Sequence, residues 1–240
     1  MSTSTTGTSS QQTLMNLQRK TSLAAGILYL LTFVSIPTLA LYGPIHDPNY
    51  LLEAGNDNAV VLGGISEIVV ALCGIATAVV LYPVLRKQNE TLALGLVASR
   101  VLEAGTMFVG VAFLLAVVTL HQKGAGADAL PVSQAFVALY DRIFMVGQSF
   151  IPALNDLLLG ILLYKSRPVP RFLSWIGMAG ALPLIVGYVA LLFGVIERTS
   201  PLAGLSAVLV AVFEFSLGIY LVVKGFKPAP FTTTIYSKTD

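Results

Sequence analysis

Five ionisable side chains, Glu67, Arg100, Glu103, Asp156 and Glu214, sit inside stretches that are otherwise apolar. A charge at the centre of a bilayer costs at least about 2.5 kcal/mol on insertion scales. Such residues therefore face a bundle interior, pair with one another, and mark ligand or proton sites. Counted from the nearest flanking charge, Arg100 is ten residues past Glu90, Asp156 nine before Lys165, and Glu214 ten before Lys224. At a rise of about 1.5 Å per residue, all three lie roughly 15 Å deep, close to the middle of a ~30 Å hydrocarbon core. Glu103 is one turn further out, Glu67 belongs to the outer half, and Asp141 and Arg142 to the outer rim. Four deep carboxyls face one guanidinium; with Asp141 and Arg142 added, acids still exceed bases by three. Such an excess implies that some acids hold protons, that a cation or amine sits among them, or that water reaches them. The plainer reading is one structural Arg–carboxylate pair, with protonated acids bonding neighbouring helices.

The elements that must position these groups are six apolar runs, at about 23–42, 60–84, 92–119, 143–164, 172–195 and 203–223. Each approaches or exceeds the roughly 20 residues that span a bilayer as a helix. The expected fold is an all-α polytopic membrane protein, a single bundle of six transmembrane helices. Spacing sets the facing. Gly63, Glu67, Ala71, Gly74 and Ala78 share one helix face, as do Ala207, Ala211, Glu214 and Gly218, so both acids lie in small-residue stripes suited to close helix contact. Asp141, Gln148 and Asn155 recur every seven residues and predict a polar stripe leading from the rim to Asp156. Pro37, Pro152 and Pro183 predict kinks, the second just before Asn155 and Asp156.

Ten of the 14 Lys and Arg fall in segments that an alternating topology puts on one side: Arg19, Lys20, Arg86, Lys87, Lys165, Arg167, Arg171, Lys224, Lys227 and Lys238. The opposite connections hold only Lys123 and Arg198. The positive-inside rule then places both termini in the cytoplasm of a multi-pass protein of the cell (inner) membrane. Residues 1–18, with nine Ser/Thr between positions 2 and 13, read as a disordered tail, residues 19–226 as the membrane domain, and 227–240 as a second tail. Arg19-Lys20 before an apolar run resembles a signal peptide, but the run is long and its cleavage site poor, so the first helix is expected to stay. Trp175 fits the interfacial aromatic belt.

Composition excludes much else. The chain is 55% hydrophobic with a mean hydropathy of +0.81, too apolar to coat a soluble domain of 240 residues. Cys73 stands alone, which removes a disulfide framework and a cysteine metal site within one chain. His46 and His121 both fall in outer connections, so no in-membrane metal or haem is expected. There is no nucleotide fingerprint and no cofactor motif. Basic residues come in twos and threes beside helix ends, so the partners expected are the lipid bilayer and a small-molecule, proton or cation ligand, not nucleic acid.

Leu81-Tyr-Pro-Val-Leu-Arg-Lys87, Arg100-Val-Leu-Glu-Ala104 and Tyr164-Lys-Ser-Arg-Pro-Val-Pro-Arg-Phe-Leu-Ser-Trp-Ile-Gly177 resemble a bacterial family of multi-pass membrane proteins known as domain of unknown function 4386. The likeness runs from about Arg19 to Phe226. It implies an integral membrane protein and carries no catalytic residue with it. Transport or sensing leads among the functional readings, with Glu67, Arg100, Glu103, Asp156, Glu214, Asn155, Gln148 and Arg142 as the candidate polar cluster. An intramembrane enzyme in which a buried carboxylic acid protonates its substrate, as in membrane terpene cyclases, is the second, with Glu67 and Glu214 as the acids. An accessory or assembly subunit with a purely structural role is the third.

Overall fold

A computed structural model describes residues 5–35, 37–53, 55–197 and 200–227. Among them the chain is helical throughout. In order come α1 (Thr5–Thr32), a short α2 (Thr38–Leu41), α3 (Asp57–Leu85), α4 (Glu90–Gln122), α5 (Leu130–Met145), α6 (Ile151–Ser166), α7 (Arg171–Leu192) and α8 (Pro201–Val223). Five helical segments are long and apolar enough to cross a membrane: Asp57–Leu85, Glu90–Gln122, Ala127–Lys165, Arg171–Leu192 and Pro201–Val223. Side-chain caps open three of them, with Asn56 accepting from the Ala59 amide, Asn89 from Leu92 and Ser200 from Ala203.

Two apolar runs differ from expectation. The first, 23–42, is not one helix. α1 ends at Thr32, Phe33–Ser35 tightens into a 3₁₀ turn, and α2 restarts after Pro37. Proline has no amide to donate and restricts the residue before it, so the break falls where it stands. The fourth run is only the inner part of a longer rod. α5 starts at Leu130, much of the connection expected over His121–Pro131 is helical, and α5 joins α6 through a π turn at Val146–Phe150. Pro152 enters α6 directly after that turn, so the expected kink is a change of helical register. Pro183 lies inside α7, which continues past it. At the N-terminus α1 extends back through Thr5, so the Ser/Thr-rich stretch is helical from there. Arg198 and the tail from residue 228 onward lie outside the described residues.

The helices alternate in direction. The α3–α4 and α6–α7 turns and the end of α8 share one end with Arg19 and Lys20; the 43–56 connection and the α4–α5 and α7–α8 turns share the other. Arg19 binds α1 to α8 at the first end, donating to the Leu221 and Val222 carbonyls at 3.1 and 2.6 Å. These are free carbonyls of a helix C-terminus, where a cation is also favoured by the helix dipole. Nearby, Gly26 packs so tightly that an added Cβ would meet the Gly218 carbonyl and Val222 at 2.8 Å. Two apolar cores result. One, at the basic end, gathers Tyr29, Leu81, Leu85, Leu162, Leu163, Phe213 and Leu221. The other, at the opposite end, gathers Tyr42, Ile45, Val60, Leu114, Val117 and Tyr140. The deep polar groups lie between them. Outward positions such as Leu62, Ile65, Leu72, Leu102, Leu182 and Val186 are exposed, giving the bundle an apolar exterior.

Candidate functional site

Arg100 on α4 is the centre of the site and is 7% exposed. Its Nη1 donates to Glu103 Oε2 at 3.0 Å, one turn along the same helix. Its Nη2 donates to Glu214 Oε1 on α8 at 2.6 Å. Glu103 Oε2 also accepts from Asn155 Nδ2 on α6 at 2.7 Å, so one carboxylate links α4 to α6 while the guanidinium links α4 to α8. Two small residues make room for this. Gly74 on α3 passes the Arg100 stem, and Gly218 on α8 packs on Tyr29 of α1. The expected stripe Gly63, Glu67, Ala71, Gly74 and Ala78 is buried as a set.

Asp156 has no such satisfaction. It is fully buried, and neither carboxylate oxygen has a hydrogen-bond partner among the described residues. The charges that act on it are those of Glu214, Arg100 and Glu103. The Asn155 carbonyl oxygen and the Ser99 and Ser174 hydroxyls, also buried, lack partners among the described residues as well. Buried polar atoms are almost always bonded, so a group of unmatched ones points to a ligand, a proton or water.

A cavity of about 220 Å³ opens beside the cluster. Its polar wall is Arg100, Glu103, Glu214 and Gln148; the rest includes Thr32 and Phe33 at the break in α1, Ala71, Met107, Leu184, Tyr188, Ala207 and Ala211. Phe33 in turn meets Phe215 edge-on, with ring centres 5.1 Å apart. The π turn explains why Gln148 reaches this wall while Asn155 reaches Glu103. The extra residue rotates α6 relative to α5, and Gly147 within it sits against Thr106 of α4. The three residues of the heptad stripe lead inward in order: Asp141 bonds His46 at 3.2 Å, Gln148 lines the cavity and Asn155 joins the cluster.

Two expected members lie elsewhere. Glu67, 2% exposed, accepts from the Tyr140 hydroxyl at 2.7 Å and is absent from the cavity wall. The reason is depth: it stands nearly two turns from Gly74, on the side of the core that holds Tyr42 and Tyr140. Glu67 and Glu214 therefore do not form one facing pair of acids. Arg142 points its Nη1 at Met145 Sδ, 3.7 Å away on its own helix. Sequence reasoning missed Tyr29, Phe33, Tyr188 and Tyr140. Tyr29, Phe33 and Tyr188 stand in apolar text, where Pro37 was the local signal near Phe33, and Tyr140 stands beside Asp141 and Arg142, whose charges are the stronger signal.

The end opposite the basic cluster carries a separate network beyond the apolar stretches 60–84 and 92–119. His121 Nδ1 meets Asp57 Oδ1 at 2.8 Å, and its Nε2 meets the Glu53 carbonyl at 2.9 Å. The Tyr50 hydroxyl also donates to Asp57. Both ring nitrogens of His121 thus face acceptors. The Glu53 carbonyl, and then Asp57, hold its pKa above the ordinary histidine value against partial desolvation. Desolvation works to raise Asp57, but the Tyr50 and His121 hydrogen bonds outweigh it and keep it low. Among the described residues no three His, Cys, Asp or Glu side chains converge as a metal-ligand set.

A family model described as a domain of unknown function (DUF4386) matches residues 24–225. The chain belongs to that family. Neither the curated proteins nor the solved structures yield a match.

Proposed function

We propose that this family member is a six-pass protein of the cell membrane, with both termini in the cytoplasm, that takes up a cation or cationic small molecule at its mid-level acids for transport or sensing. One observation carries the reading. Buried Glu103 and part-buried Glu214 share the Arg100 guanidinium, and the fully buried Asp156, whose charge acts on the same groups, keeps both oxygens unpartnered among the described residues. Arg100 is already committed to two carboxylates, so an anion would meet net negative charge, while a cation relieves it. The adjoining cavity supplies a place for such a ligand. For the sixth crossing, the support is the apolar run 23–42 itself, which carries no charge between Lys20 and Asp47. Broken helices are tolerated at membrane depth where they border a cavity, and the break at Phe33 does so.

The test is uptake by vesicles containing the purified protein, with sodium, potassium, ammonium and proton gradients imposed in turn. One of these should drive flux or a spectroscopic response that disappears in Asp156→Asn and Glu214→Gln while the melting temperature stays near wild type. No cation-dependent signal in the wild-type protein, together with unaltered behaviour of both amides, would leave only the structural role.

A further inference from the structure

Resting on the cation reading above, we infer that the ligand is a compact organic ammonium ion with an apolar body, seated in the cavity with its nitrogen toward Glu103 and Glu214. The walls divide by chemistry. Glu103, Glu214, Gln148 and the Arg100 guanidinium that the two carboxylates share supply most of the polar lining, while Phe33, Tyr188 and Leu184 stand among the apolar groups that make up most of the rest. A metal ion gains nothing from such a wall. Hard cations take about six to eight oxygen ligands, and among the described residues no three His, Cys, Asp or Glu side chains are arranged as a metal-ligand set. An ammonium needs only a few acceptors, and its carbon body is favoured by apolar contact and by aromatic faces. Size sets the scale. The cavity, about 220 Å³, falls below the roughly 300–1,000 Å³ of sites for drug-sized ligands, so the ligand is one ring or a short branched chain. Arg100 holds both acids in place through one oxygen of each, Glu103 Oε2 and Glu214 Oε1, and both residues line the cavity.

The experiment is calorimetric titration of the full-length protein in detergent micelles with benzylamine, benzyl alcohol, benzoate and sodium chloride. Benzylamine should bind saturably, one per chain. The isosteric alcohol and the benzoate anion should bind at least about tenfold more weakly. Glu214→Gln should lower benzylamine affinity by about tenfold or more. Ala207→Leu, which keeps every charge and narrows the cavity, should do the same, so the test survives if either variant fails to fold. Equal binding of benzyl alcohol, or benzylamine affinity unchanged in a folded Ala207→Leu protein, overturns the inference. Saturable sodium binding without benzylamine binding overturns the ligand class but leaves the cation reading standing. Binding of neither cation removes both.

Discussion

The Arg100 guanidinium on α4 and the Glu214 carboxylate on α8 meet at 2.6 Å across 114 residues of sequence, at the level where two apolar cores part. Arg100→Leu strands two carboxylates that were bonded to it. Removing one partner of a buried pair typically costs about 3–5 kcal/mol. The variant should therefore melt well below wild type in detergent. Adding Glu214→Gln should recover part of that loss, because the amide carries no charge. Recovery by neither Glu214→Gln nor Glu103→Gln would show that the pair does not hold the helices together.

Gly147 occupies the π turn, and a Cβ added there would stand 2.0 Å from Thr106 Oγ1. Overpacking of this kind costs about 1–3 kcal/mol. Gly147→Ala should thus lower thermal stability, and Thr106→Gly in the same chain should restore some of it. A neutral Gly147→Ala would mean that α5 and α4 are further apart than the structure places them.

Tyr140→Phe removes the hydroxyl that bonds Glu67 and keeps the ring that meets Tyr42 edge-on, with ring centres 5.3 Å apart. Taking one bond from a buried carboxyl costs about 1–3 kcal/mol, measurable as a fall in melting temperature. Glu67→Gln should reduce the penalty of Tyr140→Phe. Ligand binding at the cavity should be unchanged in Tyr140→Phe, because Glu67 belongs to the other core.

Much of this was legible in the amino-acid pattern, for definite reasons. Helix rise fixes depth, so counting from Glu90, Lys165 and Lys224 brought Arg100, Asp156 and Glu214 to one level, and the bonds among Arg100, Glu103, Glu214 and Asn155 link those helices there. Rotation about the axis was legible in α3, where small residues mark the close face. In α5–α6 the stripe of Asp141, Gln148 and Asn155 led to the cavity and the cluster, but the π turn between them was not legible, because an i→i+5 turn has no signature in Val-Gly-Gln-Ser-Phe. Pro37 signalled a kink but not a full break, since whether a helix restarts depends on what its neighbours cover. Tyr140 as the partner of Glu67 was invisible, because the two are 73 residues apart and nothing in the sequence says which helices face each other at that level.

The His121–Asp57 contact gives the end opposite Arg19 and Lys20 a pH dependence. His121 is raised, so its contribution is present below the ordinary histidine value of about 6.5 and is lost as pH rises through its higher folded value. Asp57 is lowered, so its contribution is present above the ordinary aspartate value of about 3.9 and is lost as pH falls through its lower folded value. Both operate between those two ordinary values. Melting temperature should decline as pH rises from about 6.5 through the raised histidine value in wild type and stay flatter over that interval in His121→Gln. A His121 ring that titrates below the ordinary value by NMR would contradict the contact.

Topology is testable with reporters. A fusion after Lys227 should be active only in the cytoplasm, and one inserted at Gly124 only outside, as the ten-to-two division of basic residues requires. External activity after Lys227 would mean that the broken run 23–42 does not cross the bilayer.

The central claim is that a cation meets the carboxyl groups beside Arg100, and infrared difference spectroscopy reads those groups directly. Spectra of the purified protein at constant pH, taken before and after adding benzylamine, ammonium, potassium or sodium in turn, should show carboxyl or carboxylate bands for at least one cation. Those bands should be lost or altered in Asp156→Asn and in Glu214→Gln, and should persist in Glu67→Gln. A flat carboxyl region for every cation in the wild-type protein, or bands that survive both substitutions unchanged, would contradict it.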